Sequence, residues 1–133
     1  MIKKIYSIII IWLICFSIQA EVTSEIRFST LFGVINAAGA TGEYVFSTRS
    51  IGIEGFGYIV LADQLYSDIG YGMFFRSKIN QHMYYRIAGG TFKLRNNTRK
   101  YVSIGIGKEI NEHGFFEFSL FKGLPTLTIG HRL

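Results

Sequence analysis

The chain has 133 residues and a formal net charge of +5; 49% are hydrophobic and 16% aromatic, with 15 Gly, one Pro and one Cys. That length allows one domain at most, and so much glycine and aromatic with so little proline favours strands and tight turns over helices. The positive charge is too mild and diffuse to argue for nucleic acid, and a single cysteine excludes a disulfide framework.

Residues 1–20 form a separate object. "MIKK" supplies Lys3 and Lys4, and "IYSIIIIWLICFSI" follows as an apolar core of about a dozen residues, short for a spanning helix. "SIQA" then places a small residue, Ala20, before "EVTSE". This reads as a secretory signal peptide cut after Ala20, with an uncleaved N-terminal anchor as the alternative. A lipoprotein reading fails, because Trp12, Leu13 and Ile14 precede Cys15 where small residues are needed. The mature chain, 21–133, then has no cysteine, and losing Lys3 and Lys4 lowers the charge from +5 to +3.

After Ala20 the dominant period is two, not 3.6. "EIRFSTLFGV" sets Ile26, Phe28, Phe32 and Val34 against Arg27, Ser29 and Gly33. "NAAGATG" reads as a loop, the longest in the chain. "EYVFSTR" sets Tyr44 and Phe46 against Ser47 and Arg49, and "SIGIEGFGYIVL" sets Ile51, Ile53, Ile59 and Leu61 against Gly52, Glu54, Phe56 and Tyr58. "ADQ" turns. From Leu65 to Arg76, Leu65, Ile69, Tyr71, Met73 and Phe75 oppose Asp68, Gly70, Gly72 and Arg76. "SKINQ" turns. "HMYYRIAGGTFKLR" begins with Met83, Tyr85 and Ile87 on one face and ends with Phe92 and Leu94 on the other parity, so Gly89-Gly90 is expected to be a bulge. "NNT" is a hairpin turn. "RKYVSIGIGKEI" sets Val102, Ile104 and Ile106 against Tyr101, Ser103, Gly105 and Gly107; "NEHG" turns; "FFEFSLFK" sets Phe116, Phe118 and Leu120 against Glu117 and Ser119. "LPTLTIGHRL" closes the series, with Leu127, Ile129, His131 and Leu133 opposite Thr126, Thr128, Gly130 and Arg132.

That makes eight strands. A tilted strand crossing a bilayer needs about 9–11 residues, so eight fit the mature chain and ten do not. An even number returns both ends of the chain to one side. The softest boundary is Arg49–Ser50; a single long strand there would make seven.

The non-apolar face decides which way the sheet faces. A soluble barrel would show water a Lys/Glu-rich face. Here that face carries glycine, serine and threonine, with Arg27, Arg49, Glu54, Asp68, Arg76, Arg86, Glu117 and Arg132 among them. Small residues suit the crowded inside of a narrow barrel, and mixed charges can satisfy one another there. The apolar face, with Tyr44, Tyr71 and Tyr85 as girdle candidates, suits lipid. The expected fold class is all-β: a closed up-and-down antiparallel transmembrane β-barrel of about eight strands. A soluble lipocalin-like barrel with its apolar face inward, binding an apolar ligand, is the alternative.

"SIGIEGFGYIVL", "DIGYGMFF", "YVSIGIGKEINEHGFFEFSLF" and "PTLTIGHRL" together resemble the small eight-stranded outer-membrane β-barrels of Gram-negative bacteria, the OmpA/OmpX-type class. The resemblance covers essentially all of 21–133 and rests on pattern, with no signature motif. It implies an outer-membrane location, contact with outer-membrane lipid and lipopolysaccharide, and a last strand read by the barrel-assembly machinery. Leu127, Ile129, His131 and Leu133 occupy the positions of that assembly signal. Leu133 stands where Phe is usual and His131 where Tyr is common.

Some barrels of this build act on lipid A or on peptides. The three histidines do not stand in a His-x-Ser pair: His82 and His113 sit beside expected turns, and His131 falls on the outward parity. Ser103, Ser119 and Glu117 could join a Ser–His–carboxylate set in space, but no spacing favours it. No metal-ligand spacing occurs, no cofactor is expected, and no GxGxxG sits between strand and helix. Glu54, Asp68 and Glu117 with Arg27, Arg86 and Arg132 read as a structural ion-pair network in the lumen more readily than as catalytic carboxylates. The expected role is structural: envelope integrity or surface contact, without catalysis, with a lipid A enzyme as the alternative. A pore is disfavoured, since the inside of eight strands is just wide enough for its own side chains.

Overall fold

The computed structural model describes residues 2–19, 21–61 and 66–133. Helix α1 (Ile2–Gln19) precedes eight strands: β1 (Glu21–Leu31), β2 (Ile35–Phe46), β3 (Arg49–Val60), β4 (Tyr66–Lys78), β5 (Met83–Leu94), β6 (Asn97–Glu109), β7 (Gly114–Phe121) and β8 (Leu124–Arg132). No helix among the described residues is long and apolar enough to cross a membrane. The expected cut after Ala20, the "ADQ" turn and the strand start at Leu65 lie outside the described residues.

Each strand pairs antiparallel with the next, and β1 pairs with β8, so the sheet closes. Closure removes the exposed edges that an open sheet would leave. Glu21 and Arg132 lie at one end of the barrel, here the near end, with the turns 47–48, 79–82 and 110–113. The far end carries the turns 32–34, 95–96 and 122–123.

The faces follow the alternation. Ile53, Met73, Ile104, Phe118 and Ile129 point out, and Met73 keeps 67% of its surface. Among the described residues, the charges on outward positions stand near strand ends: Lys93 and Lys100 toward the far end, Arg49 and Lys108 toward the near end. The inside is lined by Arg27, Glu43, Arg76, Tyr84, Arg86, Phe115 and Glu117, all buried.

A regular device narrows the interior. Gly52 pairs with Phe74, Gly70 with Phe56, Gly107 with Tyr84 and Gly130 with Phe115, in each case directly across a strand pair. A Cβ at any of these glycines would clash with atoms of the partner's ring. The glycine makes the floor on which the inward ring lies, the arrangement that rescues glycine's poor strand propensity.

Three local expectations are corrected. "NAAGATG" is not a loop: it is most of β2, with Ala37, Gly39 and Thr41 facing inward opposite Ser29, Arg27 and Glu25. A side chain at Gly39 would strike the Gly55 carbonyl and Phe56, so smallness there answers crowding, not turning. Gly89-Gly90 is not a bulge. The β4–β5 register runs unbroken from Gly70↔Phe92 to Lys78↔Tyr84, so Phe92 and Leu94 keep the inward parity of Tyr84 and Arg86. Gly90 faces Gly72 and lies against Tyr101, which explains the pair as close approach. The turn expected at "NNT" lies one residue earlier, on Arg95 (φ 48°) and Asn96 (φ 66°), the two left-handed residues of a tight hairpin. Between β2 and β3 the chain does turn, on Ser47 (φ 61°) and Thr48, which fixes the number of strands at eight.

Candidate functional site

The site is the barrel interior, which is layered along the axis. The near half is ionic. Glu25, fully buried on β1, is its hub. Arg76 donates to it through two nitrogens, at 2.7 and 3.0 Å, the two-pronged geometry that makes arginine–carboxylate pairs strong. Arg132 on β8 donates to the same carboxylate at 3.1 Å, and Arg27 lies 3.5 Å away. Every one of these cations also has a second carboxylate: Arg76 reaches Glu43 at 3.1 Å, Arg132 reaches Glu109 at 3.1 Å, and Arg27 reaches Glu117 at 2.7 Å. Arg86 pairs with Glu54 one layer further in. Hydroxyls complete the carboxylates' bonding: Tyr84 donates to Glu117 at 2.9 Å, Tyr101 to Glu54 at 2.6 Å and Ser50 to Glu43 at 2.8 Å.

The guanidiniums lie over the inward rings. Arg76 sits 4.6 Å from the centroid of Tyr84, Arg86 4.1 Å from Phe74 and Arg27 5.2 Å from Phe115. Those three rings rest on Gly107, Gly52 and Gly130. The repeated unit is therefore glycine, ring, guanidinium, carboxylate, stacked from wall toward axis. It offers each buried charge an opposite charge and an aromatic face, which a narrow interior requires. Among the described residues four arginines meet five glutamates in the lumen, and three of them, Arg27, Arg76 and Arg86, lie over such rings.

Beyond this ionic half, a cavity of about 100 Å³ lies between Arg27, Glu54, Arg86, Tyr101 and Glu117. Above it comes an aromatic layer. Phe56, Phe92, Tyr101 and Phe121 contact one another, with Tyr101 and Phe121 stacked at 4.8 Å. The described residues leave the far half above that layer unfilled. It is an apolar cup of about 550 Å³. The expectation of a polar lumen filled with side chains therefore holds for the near half only.

Of the residues expected in the lumen, the structure brings Arg27, Arg76, Arg132 and Glu117 into the near cluster and sets Arg86 with Glu54 beside it. It does not bring in Arg49 or Asp68. Arg49 is exposed beside the 47–48 turn. Asp68 lies toward the far end, accepting from the Tyr66 hydroxyl at 2.6 Å and the Ile69 amide. Glu25 and Glu43, the two central acceptors, are absent from the sequence reading. Each opens a segment there, so neither had been assigned a face; carrying the alternation back through Thr23, Glu25 and Arg27 would have found the first.

Leu127, Ile129, His131 and Leu133 all face outward. His131 stacks on His113 with centroids 5.5 Å apart, and the Leu133 amide donates to the Ser24 carbonyl at 3.0 Å. His82 and His113 are exposed in near-end turns, while Ser103 and Ser119 are buried on the inner wall.

This layering, with the closed sheet and outward apolar face, defines the fold as a small eight-stranded β-barrel of the transmembrane type. A solved structure described as "De novo design of transmembrane beta-barrels" is similar over 86% of this chain and 93% of its own, with a TM-score of 0.53 and 10% sequence identity. No family model matches the chain, and no curated protein matches it.

Proposed function

We propose that this chain is a small integral outer-membrane β-barrel of the OmpA/OmpX type, with residues 1–20 as its export signal and 21–133 as the barrel. Its role is structural: envelope integrity or surface contact, without catalysis. The observation that carries the reading is the inversion of the sheet. The apolar residues are outside, with Ile53 at 65% and Tyr71 at 66% exposure, and the charges are inside, paired. In water that arrangement exposes far more contiguous apolar surface than a soluble monomer carries. In hydrocarbon it is the favourable one, because closing the sheet pairs β1 with β8 over most of the seam and hides the charges. The partners are outer-membrane lipid and lipopolysaccharide around the belt. The barrel-assembly machinery is the partner during insertion, reading Leu127, Ile129, His131 and Leu133.

The test is fractionation combined with heat-modifiability. The protein is expected in the outer membrane and is expected to change mobility on a detergent gel only after boiling. A water-soluble periplasmic protein with no such shift would overturn the reading.

A further inference from the structure

We propose that the far-end cup binds a single-chain amphiphile with an anionic headgroup, a carboxylate or a phosphate, taken from the surrounding membrane. The cup is about 550 Å³, within the range of about 300–1,000 Å³ usual for small-molecule sites. Its lining is mainly aliphatic and aromatic, with Leu31, Val60 and Phe92 representative, and the hydroxyls of Ser29, Thr30 and Thr126 beside them are already bonded to Thr128, the Gly33 amide and the Leu124 carbonyl. The one hydroxyl on the inner aromatic wall, that of Tyr58, is already bonded to the Lys93 carbonyl. A ligand filling this space therefore needs a part without hydrogen-bonding groups, which is what a hydrocarbon chain is.

The head is specified by the rim. Arg99 and Lys122 both line the cup. Lys122 reaches inward until its ammonium lies 5.5 Å from the centroid of Phe92. Both are cations; the far-end carboxylate of Asp68, the register partner of Tyr58, is held by the Tyr66 hydroxyl and does not line the cup, and Glu54 is committed to Arg86 and Tyr101 below the aromatic layer. An anion at the mouth meets two positive charges; a cation meets the same two and is repelled.

The wall shows how such a ligand enters. β7 and β8 have 8 and 9 residues, against 11–13 for the other strands. β1 pairs with β8 only as far as Thr30↔Leu127, so Leu124, Pro125 and Thr126 have no partner on that side. Pro125 has no N–H to give. On the other flank the β6–β7 register runs only from Ser103 onward, with one further backbone bond from the Lys122 amide to the Val102 carbonyl at 2.9 Å. The wall is thus lowest over the β7–β8 hairpin, and Thr30, Leu31, Leu124 and Thr126, on both sides of the unpaired seam, line the cup. The outer lip of this notch carries exposed Leu120 and Leu127. An acyl chain can therefore pass from an apolar outer surface to an apolar inner one without crossing water.

The lateral route rests on the membrane placement proposed above; the binding itself is tested without it, so the two can fail separately. The full chain, folded in short-chain phosphatidylcholine micelles, is titrated by NMR with hexadecanoate, hexadecyl phosphate and hexadecyltrimethylammonium. Saturating amide shifts are expected at Leu31, Tyr58, Phe92 and Phe121 with either anion, and the stronger of the two identifies the head. The ammonium amphiphile, and the anions on the Arg99→Gln/Lys122→Gln double variant, are expected to bind at least about tenfold more weakly. Ala37→Trp, which fills the cup from β2, is expected to abolish binding, and a heat-modifiable gel band verifies that this variant is folded. Shifts that never saturate and fall only on outward residues such as Ile53 and Ile104 would overturn the proposal. So would equal binding of the ammonium amphiphile.

Discussion

Glu25→Gln removes one charge from the centre of the ionic half and changes almost no volume. The carboxylate is fully buried and takes two bonds from Arg76, one from Arg132 and the field of Arg27. Removing one partner of a buried ion pair costs about 3–5 kcal/mol, because the other charge is left in a low-dielectric site. Here each arginine keeps a second carboxylate: Glu43, Glu109 and Glu117 remain at 3.1, 3.1 and 2.7 Å. The expected loss is therefore at the lower end of that range, about 3 kcal/mol. The assay is reversible urea unfolding in lipid vesicles, with the folded fraction read from unboiled gels. A cycle with Arg132→Gln isolates the bond across the β1–β8 seam, with an expected coupling of about 1–3 kcal/mol. A loss under about 1 kcal/mol, or strictly additive variants, would refute the view that Glu25 is the hub.

Ile104→Arg, on the outward face of β6, is expected to cost about 2–4 kcal/mol in the same assay; a harmless substitution would mean that the faces are inverted. Gly107→Ala drives a methyl into the Tyr84 ring and is expected to lose stability of about 1–3 kcal/mol, whereas Gly55→Ala, which meets nothing within 4 Å, is expected to lose less than about 1 kcal/mol. Equal effects of the two would remove the glycine–ring argument. Deleting Leu133 is expected to lower the membrane yield more than Arg132→Ala does, while Arg132→Ala lowers urea resistance more. Matching yields for the two variants would count against an assembly signal in the last strand.

Much of the sheet was legible because lipid-type barrels sort side chains strictly by parity: Ile51, Ile53, Ile104 and Ile106 declare their face without help. The exceptions share a physical cause. Ala37, Gly39, Gly89 and Gly90 look like loop or bulge residues, because turns and crowded walls both select for small side chains. Only the register separates the two. Reading Gly89-Gly90 as a phase change turned Phe92 and Leu94 outward, and so removed from the interior the residues that line the cup. Glu25 and Glu43 went unassigned for a related reason: alternation reads poorly at the first residue of a segment, where there is no preceding partner to set its parity.

The hub has a consequence in time. Glu25 meets residues 51 and 107 positions along the chain, and Arg27 meets one 90 positions along. Hairpins between successive strands form from local contacts, but none of them can satisfy these charges. Until β8 reaches β1, the growing sheet carries hydrated carboxylates and guanidiniums on one face and an apolar surface on the other. Such a ribbon is held at a water boundary, since entering hydrocarbon would strip water from unpaired charge. Closure supplies what the ribbon lacks at its edge, Arg132 for Glu25 and Glu117 for Arg27, whereas Glu43 with Arg76 and Glu54 with Arg86 need only strands two apart, so the charges of β1 are the last to be fully paired.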